Sequence, residues 1–392
     1  MLFSLLFKTI ILMKKTVLFF FLLIFCYSCK KHEKVSIVKS FCYWKTEGYF
    51  NSEDDSLIKK MDVKHMYLRL FDVDWNPYIK EAQPIATISN IGISDNLQLT
   101  PSVFITNDVL LHSSKLQLDQ LSQRISTRIS QVIDQYVIQT AKSRAYKISE
   151  NDYNNQEGNT IMSRLNEEEI VKTEKPKIEK LFQEILFDCD WYESTRDNYF
   201  YLLKKLKAKL PKYKIEATIR LWQYKYYEKA GIPPVDKGLL MCYNMSNVKE
   251  YNANNSIGSS KELSEYITHD NYPLRLDVAL PLFSWSVLFR GGIFKGVISD
   301  IDDFDKNKLL FSKISENKYQ LQDDILLGNF YARNGDEIRI EKISDEEIEN
   351  MIHIIKDKIK IDNSTKVTFF SFDKKYINDY GIQNISKYYS NF

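Results

Sequence analysis

The chain has no excess of charge of either sign. Its 54 Lys and Arg stand against 52 Asp and Glu over 392 residues, a formal net charge of +2 with no long run of one sign. No nucleic-acid partner is expected, because phosphate recognition needs a basic patch or stripe. Histidine is scarce at five, and neither a CxxC pair nor an HExxH motif occurs. No metal site and no cofactor are therefore expected. Cysteine is sparse too. Beyond residue 28 only Cys29, Cys42, Cys189 and Cys242 remain, and the last three sit inside apolar, strand-like runs. Buried free thiols account for them better than a disulfide framework does. No internal repeat or low-complexity linker divides the chain.

What is present begins with the grammar of an export signal. Met13, Lys14 and Lys15 supply a positive segment, residues 16–25 form an apolar run too short to span a bilayer, and Cys26-Tyr27-Ser28-Cys29 follow. A second apolar run over residues 1–12 carries only Lys8, so Met13 is an alternative start. The segment Ile24 to Cys29 resembles the lipobox of bacterial lipoproteins, in which a small residue, here Ser28, precedes a cysteine that is acylated and becomes the new N-terminus. That resemblance implies a signal peptide over 1–28, lipid on Cys29, a tether over 29–38 and a folded part over 39–392. It also implies a place in the cell envelope, with a membrane as partner through the anchor. Lys30, Lys31 and Lys34 would add contact with anionic headgroups. An uncleaved anchor helix is the alternative.

In the remaining chain, apolar, β-branched and aromatic runs of strand length recur between stretches of helical periodicity. Strands are predicted near 41–44, 66–71, 101–106, 184–190, 215–222, 238–244, 274–283 and 367–372. Helices are predicted over 116–141, 195–210 and 346–359, with Ser194 or Thr195 as N-cap of the second. Alternation of strand and helix implies parallel strands, since a crossover helix returns the chain to the same edge. Eight such units fit a (β/α)8 TIM barrel, an α/β fold, better than an open sheet. Two regions interrupt the alternation. Residues 147–177 are polar, rich in Asn and Glu, and read as an exposed insertion before strand four with one helix at most. Residues 287–343 read as an excursion of small strands between strands seven and eight.

In such a barrel, active residues project from the C-terminal strand ends. The run Phe187-Asp188-Cys189-Asp190-Trp191-Tyr192-Glu193 ends strand four. Asp188 and Asp190 are two apart, so on a strand both carboxylates point to one side, roughly 7 Å apart along it. Paired carboxylates in a partly dry mouth raise one another's proton affinity, which acid-base chemistry exploits. The competing structural role is one Asp bound to backbone amides and the other facing water. Arg69 and Asp74 follow strand two, and Arg220 ends strand five. Each Arg is suited to neutralising the Asp pair, to gripping an anionic ligand group, or to an internal salt bridge.

Asp188-x-Asp190 on strand four, Met241-x-Tyr243-Asn244 on strand six and Ala279-Leu280-Pro281-Leu282-Phe283-x-Trp285 on strand seven resemble the DxxDxDxE, MxY[DN] and GLPxYG strands of chitinase-type glycoside hydrolase family 18 barrels and their bacterial lipoprotein relatives. The resemblance covers residues 188–285. It implies that Asp190 stabilises a substrate's N-acetyl group, that Asp188 supports it and that Tyr243 donates a hydrogen bond to the same intermediate. The family's proton donor stands two residues after the last Asp, which is Tyr192 here; the nearest carboxylate, Glu193, is one place later. All five tryptophans, Trp44, Trp75, Trp191, Trp222 and Trp285, fall at or near predicted strand ends, where ring faces stack on sugars or fill the core. The expectation is a lipid-anchored, glycan-handling barrel. Its catalytic set would be Asp190, Glu193, Asp188 and Tyr243, and its substrate contacts Arg69, Asp74, Arg220, Asn244 and Trp285. The alternative is a carbohydrate-binding protein that does not hydrolyse.

Overall fold

Eight short aliphatic runs become eight parallel strands that close on themselves. They are β1 (Val38–Tyr43), β2 (His65–Asn76), β3 (Gln98–Ile105), β4 (Glu184–Asp188), β5 (Lys214–Arg220), β6 (Lys237–Met241), β7 (Leu276–Pro281) and β8 (Lys366–Phe370). Each pairs in parallel with the next, β8 returns to β1, and β1 pairs with β2, so the sheet has the closed order of a (β/α)8 barrel. The computed structural model describes residues 36–92, 97–155, 160–298 and 309–392. The export-like segment and Cys29 lie outside the described residues. Among those described, no helix is long and apolar enough to cross a membrane.

Three local outcomes differ from the sequence reading. The polar stretch expected as an insertion belongs to two long helices, Lys115–Asn155 and Thr160–Glu179. Leu118, Leu121, Ile125, Ile129, Ile133, Val137, Ala141 and Ala145 form one buried stripe along the first, and the helix runs on past it into the polar stretch. Arg144 of the first helix meets Glu174 of the second at 2.9 Å and joins them, and Lys177, on the same helix as Glu174, reaches it at 2.6 Å. Second, the helix expected to be capped by Ser194 or Thr195 spans Glu193–Lys209 with Tyr192 as N-cap. Thr195 sits in its first turn, its hydroxyl accepting from the Tyr192 amide at 2.9 Å. Third, β4 and β6 stop at Asp188 and Met241, so Asp190, Tyr243 and Asn244 stand on the loops that follow.

The excursion after β7 is a five-stranded antiparallel sheet in the order Ile293–Ile298, Ser284–Arg290, Glu337–Lys342, Lys318–Leu321, Phe311–Lys313. It has an apolar cluster of its own, with Leu288, Ile298, Leu321 and Ile338 at its centre.

The floor of the barrel is ionic. Lys366 Nζ reaches Glu216 at 2.6 Å and Asp277 at 3.2 Å, and also pairs with Glu184. Lys237 meets Asp277 at 2.6 Å, while the Tyr67 hydroxyl donates to Glu216 and Asp277 at 3.0 and 3.1 Å. Glu216 and Asp277 are wholly buried. Desolvation raises the Glu216 carboxyl above the ordinary range although Lys366 pulls it down. Removing the ammonium shared by three carboxylates leaves Glu216 buried without a cation, while Asp277 keeps Lys237. Lys366→Met is expected to lower the unfolding free energy by about 3–5 kcal/mol at neutral pH. Denaturant titration checks this, and a loss under about 1 kcal/mol would show that the network does not hold the barrel.

Candidate ligand site at the barrel mouth

Asp188 ends β4 with its side chain turned into the barrel. It is 7% exposed, and its carboxylate accepts from the Thr218 hydroxyl on β5 at 2.7 Å. Burial first, and the nearby Asp190 second, push its pKa up to about 6, against the Thr218 hydrogen bond and the Arg220 charge. Asp190 stands above it, past the strand end. Both Nε and Nη2 of Arg220 donate to its two carboxylate oxygens, a bidentate pair that closes a bridge from β5 to the loop after β4. Asn107 Nδ2 donates to the Asp190 carbonyl, and Asn107 in turn accepts from Thr195, so the backbone of Asp190 is held as well.

Tyr243 follows β6 and is buried. Its ring stacks on Phe370 at 5.2 Å and meets Phe283 edge-on at 6.0 Å. Burial, with the charges of Cys42 and Asp188 adding to it, holds its hydroxyl far above the ordinary range, so it remains a neutral phenol. Asn244, directly after Tyr243, has a φ of 54°, a left-handed conformation that Asn tolerates better than most residues. Trp285 lies on the first strand of the inserted sheet, half-buried, its indole N–H donating to Glu341 at 2.7 Å.

Above Asp188, which is not itself among the lining residues, opens a cavity of about 480 Å³. Asp190, Arg220, Tyr243, Asn244 and Trp285 line it, joined by Tyr192, Trp222, Tyr266, Ser246, Asn247 and Ser256. A second cavity, of about 310 Å³, lies between the loops before β7 and β8, at the opposite end of the barrel. Its Arg275 and Lys358 are already paired with Asp362 and Asp270, and barrel chemistry belongs to the other face. Among the described residues, no group of His, Cys, Asp and Glu is arranged to hold a metal ion.

The remaining sequence candidates sit elsewhere. Arg69 turns to Asp72 on its own strand in a bidentate pair and reaches the Trp44 carbonyl at 3.4 Å. Asp74 accepts from the Thr106 hydroxyl at 2.8 Å and from the Trp75 amide at 2.9 Å. Neither lines the cavity. Glu193 is exposed in the first turn of its helix and outside the lining, while Tyr192 occupies the rim. The cause is Trp191. Its ring is wholly buried, 5.2 Å from Tyr199 and 5.9 Å from Phe200, with its N–H donated to the Ala230 carbonyl at 3.2 Å. Anchoring Trp191 inward presents Tyr192 to the mouth. Trp44 packs on Phe370 and Trp75 on His112, which leaves Trp222 and Trp285 as the tryptophans of the cavity. Cys42, Cys189 and Cys242 are free and buried.

No protein-family model and no curated protein matches this chain. Solved structures similar to it include the spore cortex-lytic enzyme SleL of Bacillus cereus, at 14% identity and a TM-score of 0.49, covering 92% of this chain and 75% of that one. SleL of Bacillus megaterium QM B1551 follows at 11% and 0.48 with the same 92% and 75% coverage. The Legionella pneumophila ChiA C-terminal domain stands at 8% and 0.37, covering 89% and 96%. Likeness at this level carries no argument about site or substrate, and the barrel rests on the strand pairing of this chain itself.

Proposed function

We propose that this protein binds a neutral glycan at the mouth of its barrel, as an envelope lipoprotein anchored through Cys29. The observation that carries the reading is a cavity whose one charged pair is internally neutralised and ringed by aromatic faces. Asp190 and Arg220 satisfy each other, so a strongly charged ligand finds no unmatched partner among these lining groups. Tyr192, Trp222, Tyr266 and Trp285 offer ring faces, and Asn244, Asn247 and Ser256 offer amide and hydroxyl groups. A sugar ring, with apolar C–H faces and a rim of hydroxyls, has the matching pattern. The motifs that resemble chitinase-type barrels support the same substrate class. In the barrels these motifs resemble, the substrate's N-acetyl group takes the place of a second carboxylate, and hydrolysis still needs one carboxyl group at the scissile bond as proton donor. Here Asp190 is engaged by a guanidinium and Glu193 lies outside the lining, which favours binding over cleavage.

One observation favours hydrolysis instead. Asp188, raised to about 6 beneath Asp190, is a carboxyl able to hold a proton near neutral pH. Titration with N-acetylglucosamine, xylose and glucose oligomers, scored for retention and for new reducing ends, separates the two readings. Retention without cleavage is expected, with Arg220→Met weakening it about tenfold or more because Asp190 loses its partner. Cleavage that disappears in Asp190→Asn would establish the hydrolase, and no retention of any neutral oligomer would refute the glycan site.

The anchor is tested separately. Cys29→Ala is expected to accumulate as an unacylated precursor, and undiminished incorporation of labelled fatty acid would exclude lipid at that residue. Asp188 makes a further prediction about stability. Its folded pKa of about 6 lies above the unfolded value of 3.8, so its contribution is fully present below pH 4 and is lost as pH rises through 6. The loss is on the order of 2–3 kcal/mol. Asp188→Asn has no such titration, so its stability should gain on the parent between pH 4 and pH 7. A constant difference in unfolding free energy across that range would contradict the assignment.

A further inference from the structure

The inserted sheet contributes Trp285 to the cavity from its first strand, whereas none of the strand Glu337–Lys342 lines it. Yet that strand carries Arg339 and Glu341, an ion pair at 2.6 Å with both side chains fully shielded from solvent. A buried pair of this kind is costly unless further hydrogen bonds complete it. Here they do, and those made to Glu341 lead to the cavity wall. Glu341 stands directly opposite Trp285 in the antiparallel register. Its Oε2 accepts from the Trp285 indole N–H at 2.7 Å, from the Ser256 amide at 2.9 Å and from the Ser256 hydroxyl at 2.5 Å. Trp285 and Ser256 both line the cavity. Arg339 donates to the carbonyls of Val248, Glu250 and Tyr251 at 3.0, 2.6 and 3.2 Å, gripping the loop after β6 on the same side.

We propose that Glu341 is a positioning residue for the barrel-mouth site, setting the plane of the Trp285 ring and the direction of the Ser256 hydroxyl against a ligand it does not touch. The inference rests on the carbohydrate reading for the identity of that ligand, a sugar presenting an apolar ring face to Trp285 and a hydroxyl to Ser256. It does not rest on that reading for the positioning itself. A carboxylate that takes three donors from two cavity residues, and is itself held by a buried guanidinium, leaves each of them one orientation. Ligand preference at the mouth is thereby decided by a strand of the inserted sheet, 56 residues along the chain from the ring it orients.

The test uses the full chain labelled with ¹⁵N in its tryptophan side chains, with the Trp285 indole signal assigned by its absence in Trp285→Phe. In the parent that N–H is expected to exchange slowly with solvent. In Glu341→Gln it should shift and exchange about tenfold faster while the other four indole signals stay in place. Affinity for the best-bound oligomer of the panel should fall about tenfold in Glu341→Gln and in Trp285→Phe, and no further in the double variant, because both act on one ring. Trp285→Phe leaves the Arg339–Glu341 pair intact and so carries the affinity arm if Glu341→Gln fails to fold. An unchanged Trp285 signal in Glu341→Gln, parent-like affinity in Trp285→Phe or additive losses in the double variant would overturn the proposal. If the parent binds no oligomer, the carbohydrate reading falls, and the indole exchange still decides the positioning.

Discussion

The structure depends on one ammonium group, that of Lys366, shared by three carboxylates inside a closed barrel. An eight-stranded barrel has an interior that side chains must fill, and branched aliphatics usually fill it. In this chain the lowest layer is polar instead, with β4, β5, β7 and β8 each sending in a charge and β2 the Tyr67 hydroxyl. Register follows from this. Slipping a strand by one residue would turn its charge outward and an apolar side chain onto the ammonium.

The same register builds the mouth. Asp188 is four residues beyond Glu184, Arg220 four beyond Glu216, and Phe370 four beyond Lys366. Four residues along a strand return to the same face about 13 Å higher. The ionic floor and the candidate site are therefore the two ends of the same inward-facing rows, and whatever holds the floor in register also points Asp188, Arg220 and Phe370 at the mouth. Pairing recurs at each level: Lys366 with its carboxylates, Arg69 with Asp72, Arg220 with Asp190, Arg339 with Glu341. Such matching leaves the mouth aromatic and hydrogen-bonding rather than charged, the property from which a neutral ligand was inferred.

Much of the architecture was legible from the residues. The eight strands were placed to within a few residues, since each is a short β-branched or aromatic run between polar turns, and the alternation with helices left the closed barrel as the natural solution. The carboxylates Asp188 and Asp190 stood out because acidic groups at the end of an apolar strand are costly without a partner. What composition obscured was the helical character of residues 147–177, where the helix predicted over 116–141 runs on to Asn155 and a second, Thr160–Glu179, follows.

By itself, then, the sequence determined the strand order, the barrel and the strand ends at which chemistry could gather, because these follow from local periodicity and crossover geometry. Partner choice belonged to the tertiary structure. Asp190 and Arg220 lie 30 residues apart, Glu341 and Trp285 lie 56 apart, and Glu216 and Lys366 lie 150 apart. No local pattern selects such pairs; the barrel's closure and the return of the inserted sheet bring them together. The choice of Tyr192 over Glu193 at the rim was likewise decided by packing. It hangs on where the bulk of Trp191 is buried, against Tyr199 and Phe200 one to two turns into the following helix, and a one-residue phase there decides which side chain lines the cavity and which stands outside it.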